Sequence, residues 1–124
     1  MAKMKNQVQE ISELEFEAQV LRSTQPVLVC FLTGWSKPCR LIGPVLNEVA
    51  QASNGMTKVL KVNVDDNPDL GTAYRIQSVP TLIYFLKGTA RAQIVGMVSS
   101  KAIFAKLNSL TPGNLLTKES GRPQ

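Results

Sequence analysis

The stretch PVLVCFLTGWSKPCRLIG, residues 26–43, contains the features from which the fold of this chain is predicted. Residues 26–32 form a short apolar run bounded by turn signals, which is typical of a buried strand. Thr33 and Gly34 then turn the chain, and residues 37–52 have the pattern of a helix. The segment from Trp35 to Cys39 is therefore predicted at a strand-to-helix junction. There, free backbone N–H groups and the helix dipole favour a thiolate or another anion.

Ser36 and Cys39 have the spacing of a redox Cys-x-x-Cys pair, with serine at the first position. In such a pair one thiolate attacks a disulfide and the second cysteine resolves the product. A serine hydroxyl cannot form a disulfide, and the chain has no histidine to activate it for acyl transfer. A two-cysteine cycle therefore cannot run with Ser36 in place.

Length and composition predict one globular domain of 124 residues, 44% of them hydrophobic. No apolar run approaches the roughly 20 residues that span a bilayer, and the basic start leads into no signal-peptide core. We therefore expect a cytoplasmic protein with no membrane partner. Two cysteines without histidine cannot fill a tetrahedral metal shell, so neither a metal nor a cofactor is predicted.

The net charge of +5 leaves an anionic partner open, since Lys37 and Arg40 flank the central motif. A soluble surface with scattered lysines explains the same charge. No Lys/Arg cluster is interleaved with aromatic residues, so nucleic-acid binding has little support.

The remaining chain predicts alternating strands and helices between two flexible segments. Residues 1–6 and 111–124 are expected to be flexible, and 7–110 to form the domain. The predicted elements are an edge strand at 7–11, a helix opened by a Ser12–Glu15 capping box, strands at 26–32, 57–64, 81–86 and 90–95, and helices at 37–52, at 69–74 and after Ser99 or Ser100. This order predicts a mixed sheet with helices on both faces.

The apolar spacing also predicts which helix faces are buried, and Pro44 predicts a kink within residues 37–52. The first helix is expected to bury Leu14, Phe16 or Ala18, Val20 and Leu21; the central helix Leu41, Ile42, Val45, Leu46, Val49 and Ala50; the last helix Ile103, Phe104 and Leu107.

Four motifs in this order resemble the thioredoxin family over residues 7–110. They are the active-site segment Phe31 to Pro44, the turn Asp65-Asp66-Asn67-Pro68, the cis-proline loop Ser78-Val79-Pro80-Thr81, and the glycines Gly88 and Gly96. The resemblance implies an α/β thioredoxin fold with a central mixed five-stranded sheet flanked by helices on both faces.

The resemblance also implies a peptide-binding groove beside the motif. It implies a cis Val79–Pro80 bond that presents backbone groups to an extended peptide. The implied groove residues are Trp35, Pro38, Val79, Pro80 and Gly96, with the charge of Lys37 at the mouth.

Two departures from the family pattern affect the chemistry. Ser36 occupies the position of the attacking cysteine, and Cys39 that of the resolving one. Cys30 stands where the family commonly has a buried carboxylate, while Lys61 resembles the lysine that accompanies this acid. Cys39 is interpreted as a buried small hydrophobe, as a single reactive thiol near Lys37 and Arg40, or as half of a Cys30–Cys39 bridge.

Three functions follow as hypotheses. The first is a monomeric binding module that takes a protein or peptide in the cis-proline groove without dithiol–disulfide turnover. The second is a thioredoxin-type protein-disulfide oxidoreductase for redox homeostasis, served by a thioredoxin-reductase-like donor. This second function has two forms: either Ser36 was introduced in place of a cysteine in an active parent protein, or Cys39 alone takes part in thiol exchange. The third, with the least support, is an anion- or nucleic-acid-binding domain.

Overall fold

The computed structural model describes residues 8–110, and the predicted flexible segments 1–6 and 111–124 lie outside this range. Its elements, in chain order, are β1 (Gln9–Glu10), α1 (Glu13–Phe16) continued by a π-helical turn (Glu17–Leu21), β2 (Val27–Leu32), α2 (Lys37–Leu41), α3 (Gly43–Ser53), β3 (Lys58–Asn63), α4 (Pro68–Ala73), β4 (Thr81–Leu86), β5 (Thr89–Val95) and α5 (Ser100–Asn108).

The five strands form one mixed sheet in the order β1-β3-β2-β4-β5. β3 lies parallel to both β1 and β2, whereas β4 runs antiparallel to β2 and β5 antiparallel to β4. The predicted mixed five-stranded architecture is confirmed. Because β2 occupies the centre, the motif that follows it emerges from the middle of the sheet edge.

Helices cover both faces of the sheet with separate apolar clusters. On one face, a cluster contains Leu46, Val49 and Ala50 of α3, Ile103 and Leu107 of α5, and Ile42 at the break before α3, packed with Leu28, Cys30, Val59, Leu82 and Tyr84. On the other face, Phe16 and Val20 pack with Ile11, Val27, Val29, Phe31, Leu60, Val62, Ile83 and Phe85. Alternate residues of β2 enter opposite clusters, as the two-residue period of a strand requires.

The predicted helix at 37–52 is two helices with a break at Ile42. α2 ends there, and α3 begins with Gly43 and Pro44. Proline lacks an N–H group and is tolerated in the first turn of a helix, where that group has no intrahelical partner. The kink predicted from Pro44 is therefore confirmed, as a break between two helices.

Three predicted core residues are exposed. Leu14 is 92% exposed, Leu41 is 56% exposed, and Leu21 also faces solvent, so these predictions are wrong. The five-residue turn at 17–21 has π-helical winding, which changes the 3.6-residue spacing and buries Val20 but not Leu21. Leu41 ends the short helix α2, and the break after it rotates the buried face onto Ile42.

The remaining helix predictions agree with the structure. Ser12 and Glu15 form the expected capping box, and Phe16, not Ala18, is the buried alternative. Ile103 and Leu107 are buried, while Val45 and Phe104 are half-buried at the cluster margin.

Candidate active site

The motif loop is held by the short helix that follows it. Thr33, Gly34 and Trp35 link the end of β2 to α2. The Nη1 atom of Arg40 donates to the carbonyl oxygens of Gly34 and Trp35 at 3.3 and 3.4 Å. Arg40 therefore restrains the loop that presents Trp35.

Ser36 is the N-cap residue of α2. Its backbone is extended, its side chain is buried, and its Oγ atom accepts a hydrogen bond from the Cys39 backbone N–H at 3.4 Å. Serine is among the residues preferred at this position because its oxygen satisfies an N–H group that lacks an intrahelical partner. The sequence interpretation missed this capping role. A serine followed two residues later by proline is a usual sign of a helix start, and Ser36 and Pro38 have this spacing.

Both cysteines are buried free thiols, so the Cys30–Cys39 bridge left open by the sequence is not formed. Cys39 is only 5% exposed, and its Sγ atom accepts a hydrogen bond from the Thr33 N–H at 3.4 Å. This geometry agrees with the interpretation of Cys39 as a buried small side chain. A thiol in this position reaches a substrate only if the loop opens.

Cys30 lies in the interior of β2, beside Lys61 of β3. The pKa of the Cys30 thiol is raised from 9.0 to about 12, mainly by burial and also by nearby Cys39, while Lys61 acts in the opposite direction. Cys30 therefore stays protonated at neutral pH. It cannot supply the negative charge that a buried carboxylate would place there.

The Val79–Pro80 peptide bond is cis, as the resemblance implied. Pro80 is buried, and its carbonyl oxygen accepts a hydrogen bond from the Gly96 N–H at 2.8 Å. Gly96 has a φ of +92°, a conformation that side-chain-bearing residues rarely adopt. Pro80 and Gly96 are thus joined through the backbone, at the points where β4 begins and β5 ends.

A cleft of about 400 Å³ lies between the motif loop and the cis-proline loop. Its lining consists of Thr33, Trp35, Val64, Asp65, Ile76, Gln77, Ser78 and Val79. The structure therefore brings together Trp35 and Val79 of the predicted groove. Pro38, Pro80 and Gly96 do not line this cleft, and neither does Lys37, which is exposed on the first turn of α2.

Trp35 is oriented across the cleft by a hydrogen bond that the sequence interpretation missed. Its Nε1 atom donates to the Asp65 Oδ2 atom at 2.8 Å, and the side chain remains 70% exposed. Thr33 contributes a buried Oγ1 atom that has no hydrogen-bond partner within residues 8–110. The sequence predicts only a turn at Asp65, because nothing local indicates a partner 30 residues away.

Neither a metal centre nor a membrane span is found in the described part of the chain. Residues 8–110 contain no group of three or more His, Cys, Asp or Glu side chains placed to hold a metal ion. In the same range, no helix combines the length and apolar character needed to cross a bilayer.

The comparison with protein families agrees with this geometry. The family model described as Thioredoxin matches residues 7–109. The chain belongs to the thioredoxin family. It is 43% identical over 89 residues to Thioredoxin 1 of Nostoc sp., which covers 72% of this chain and 83% of that protein.

Other thioredoxins give similar matches. A thioredoxin of Pyropia yezoensis is 36% identical over 101 residues, covering 82% of this chain and 94% of that protein. A thioredoxin of Pseudomonas aeruginosa is 37% identical over 106 residues, covering 86% of this chain and 98% of that protein. The family assignment also confirms the thioredoxin fold expected from the sequence.

Proposed function

We propose that this thioredoxin-family protein binds extended segments of partner proteins in the cleft beside the cis-proline loop, without dithiol–disulfide turnover. The proposal rests on the burial of Ser36 and on the hydrogen bond that its side chain makes as a helix cap. The attacking position holds a hydroxyl group that is buried and engaged as a helix cap. No sulfur is present there to form a mixed disulfide, and Cys39 has lost the partner with which it would resolve one.

The composition of the cleft supports binding of a protein segment. Trp35 offers a large exposed aromatic surface. Its hydrogen bond to Asp65 already restricts the indole ring, so less conformational entropy is lost when a partner binds. Val64, Ile76 and Val79 add apolar contact area, while the polar lining groups include Gln77 and Ser78. A few polar groups around an apolar surface are typical of recognition sites.

A second function rests on the retained Cys39 and on the names of the relatives. A protein-disulfide oxidoreductase that acts through Cys39 alone would use this thiol for exchange, supplied by a thioredoxin-reductase-like donor. The burial of Cys39 opposes this function because attack requires an accessible thiolate. We therefore favour the binding module, and propose that it acts as a cytoplasmic monomer without a cofactor.

Two assays on the same protein preparation test the proposal. Binding is measured by fluorescence anisotropy with labelled, carboxymethylated insulin B chain, an extended polypeptide without free thiols. We expect Trp35→Ala to weaken binding about tenfold and Trp35→Phe to retain most of it, because truncation removes the aromatic contact. Equal affinity for wild type and Trp35→Ala would contradict the role of the cleft.

Turnover is measured as insulin disulfide reduction with a dithiol regenerating system. We expect no rate above background for the wild type and a measurable gain for Ser36→Cys. The double variant Ser36→Cys/Cys39→Ser is the matched control and should return to background. Reduction by the wild type that is lost in Cys39→Ser would overturn the proposal in favour of the monothiol enzyme.

A further inference from the structure

The stretch of sequence that contains β4, β5 and α5 carries positive charge and no carboxylate side chain. Residues 70–110 contain no Asp or Glu, and every carboxylate side chain in the described range lies between Glu10 and Asp69. Four exposed cations lie on the β4–β5 turn, on β5 and on α5: Lys87, Arg91, Lys101 and Lys106. The acidic α1 follows β1, at the opposite edge of the sheet, and the π-helical turn that continues it ends against the β4–β5 turn, where a Cβ atom on Gly88 would lie 2.5 Å from the Leu21 carbonyl oxygen.

β5 is an edge strand of the sheet that residues 8–110 form. It pairs with β4 alone among the described strands, and five of its seven residues are exposed. Ala92 and Ile94 pack against the cluster that includes α5, whereas Gln93 and Val95 face the other way and are exposed. The outer backbone N–H and C=O groups of such a strand can pair with an added strand.

A β-bulge interrupts the pairing of β5 with β4. The register places Tyr84 opposite Ala92 and Phe85 opposite Ala90, so Arg91 is the extra residue. Pairing between two copies of β5 would bring the Arg91 and Lys87 side chains of both molecules close together. The charges therefore oppose self-association at this edge, but they favour a strand of opposite charge.

We infer that the free edge of β5 is a second interaction surface, which binds an acidic, extended segment of a partner protein as an added strand. Main-chain hydrogen bonds would supply the pairing, and Lys87 and Arg91 would select carboxylate side chains. Val95, 59% exposed, and Met97 provide apolar contacts at the end of the strand. Tyr84 and Phe85 are buried, which leaves no aromatic platform on β4 for stacked bases and favours a protein segment over single-stranded nucleic acid.

This surface is separate from the proposed peptide cleft. No residue of β5 lines the cleft, and the cleft depends on Trp35 and the loop at 76–79. Trp35→Ala should therefore leave the binding of an acidic strand unchanged. The two proposals can fail independently.

The experiment uses the full chain and a labelled peptide of alternating glutamate and valine, matched in length to the 7 residues of β5. A lysine–valine peptide of the same length is the comparison. We expect saturable binding of the acidic peptide only, weakened as salt rises to about 0.3 M, together with slower amide hydrogen exchange at residues 89–95. Arg91→Glu should weaken binding at least about tenfold because it replaces attraction by repulsion.

The matched control is Arg75→Glu, which makes the same change in net charge at an exposed position after α4. It should change the affinity by less than about twofold, since it lies off the β5 edge. Arg91→Gln provides a milder variant if Arg91→Glu does not fold, as judged by circular dichroism. It should also weaken binding, by less than Arg91→Glu.

Several outcomes would overturn the inference. Equal losses in Arg75→Glu and Arg91→Glu would indicate a general charge effect, and binding without amide protection at residues 89–95 would exclude strand addition. Tighter binding of a single-stranded oligonucleotide than of the acidic peptide would assign the surface to nucleic acid. A concentration-dependent dimer in sedimentation that Arg91→Glu disrupts would assign it to a second copy of this chain.

Discussion

The Ser36 hydroxyl accepts a hydrogen bond from the backbone N–H of Cys39 at 3.4 Å, so the side chain three residues before Cys39 holds the start of α2. The two motif positions therefore remain connected, but by a helix cap rather than by a redox pair. This hydrogen bond fixes the local geometry of the motif.

Removing the cap should destabilise the protein. We expect Ser36→Ala to lower the free energy of unfolding by about 1 kcal/mol, and Ser36→Gly to lower it by only a few tenths. Urea denaturation under reducing conditions measures both. Ser99→Ala is the matched control, because Ser99 caps α5 through a 3.1 Å bond from the Ala102 N–H. A neutral Ser36→Ala beside a destabilising Ser99→Ala would contradict the capping role.

The thiols should be protected in the folded protein. Both cysteines are buried, and Cys39 Sγ is engaged with the Thr33 N–H. We expect iodoacetamide at neutral pH to label Cys39 at least about a hundredfold more slowly than in the unfolded chain. Cys39→Ala and Cys30→Ala separate the two sites. Rapid labelling of Cys39 in folded protein would instead support the monothiol function.

Cys30 should make stability depend on alkaline pH. Below about pH 9 the thiol is protonated in both folded and unfolded chains. Above that value the unfolded chain releases the proton, whereas burial keeps it on the folded chain until the pKa of about 12. The folded state then binds more protons, so the free energy of unfolding falls as pH rises.

Denaturant unfolding between about pH 8 and pH 10.5 tests this sign. Cys30→Val should show a smaller fall than the wild type, because it removes the titrating group and keeps a side chain of similar size. Groups present in both proteins, such as the partly buried Tyr74, contribute equally to the two curves. Parallel curves would show that the Cys30 thiol has the same pKa in the folded and unfolded chains, and would contradict the effect of burial.

The bond between Trp35 and Asp65 should restrict the indole ring. Trp35 is the only tryptophan of the chain, so its fluorescence reports this site directly. We expect Asp65→Ala to lower the steady-state anisotropy and to weaken peptide binding by a few-fold, with a stability cost of about 1 kcal/mol or less. Asp66→Ala removes a neighbouring exposed carboxylate and should change neither quantity. Unchanged anisotropy in Asp65→Ala would mean that other contacts orient the ring.

Local patterns predicted much of the fold because each depends on residues close in the chain. The strand Thr81–Leu86 has the predicted bounds, the capping box of Ser12 and Glu15 is formed, and Pro44 marks the predicted break. Periodicity failed where the backbone left ideal geometry, since the π-helical turn at 17–21 and the break at Ile42 moved Leu21 and Leu41 to the surface.

The sequence by itself determined the absence of a sulfur atom at position 36 and of any histidine to replace its chemistry. Only the tertiary structure decided that the Ser36 hydroxyl caps a helix, that Cys30 and Cys39 stay unbridged, and that Asp65 holds Trp35 across the cleft. It also decided that β5, within the stretch that lacks carboxylates, is an edge strand of the described sheet. Side-chain types follow from single positions, whereas burial, partners and exposed edges follow from how distant segments pack together.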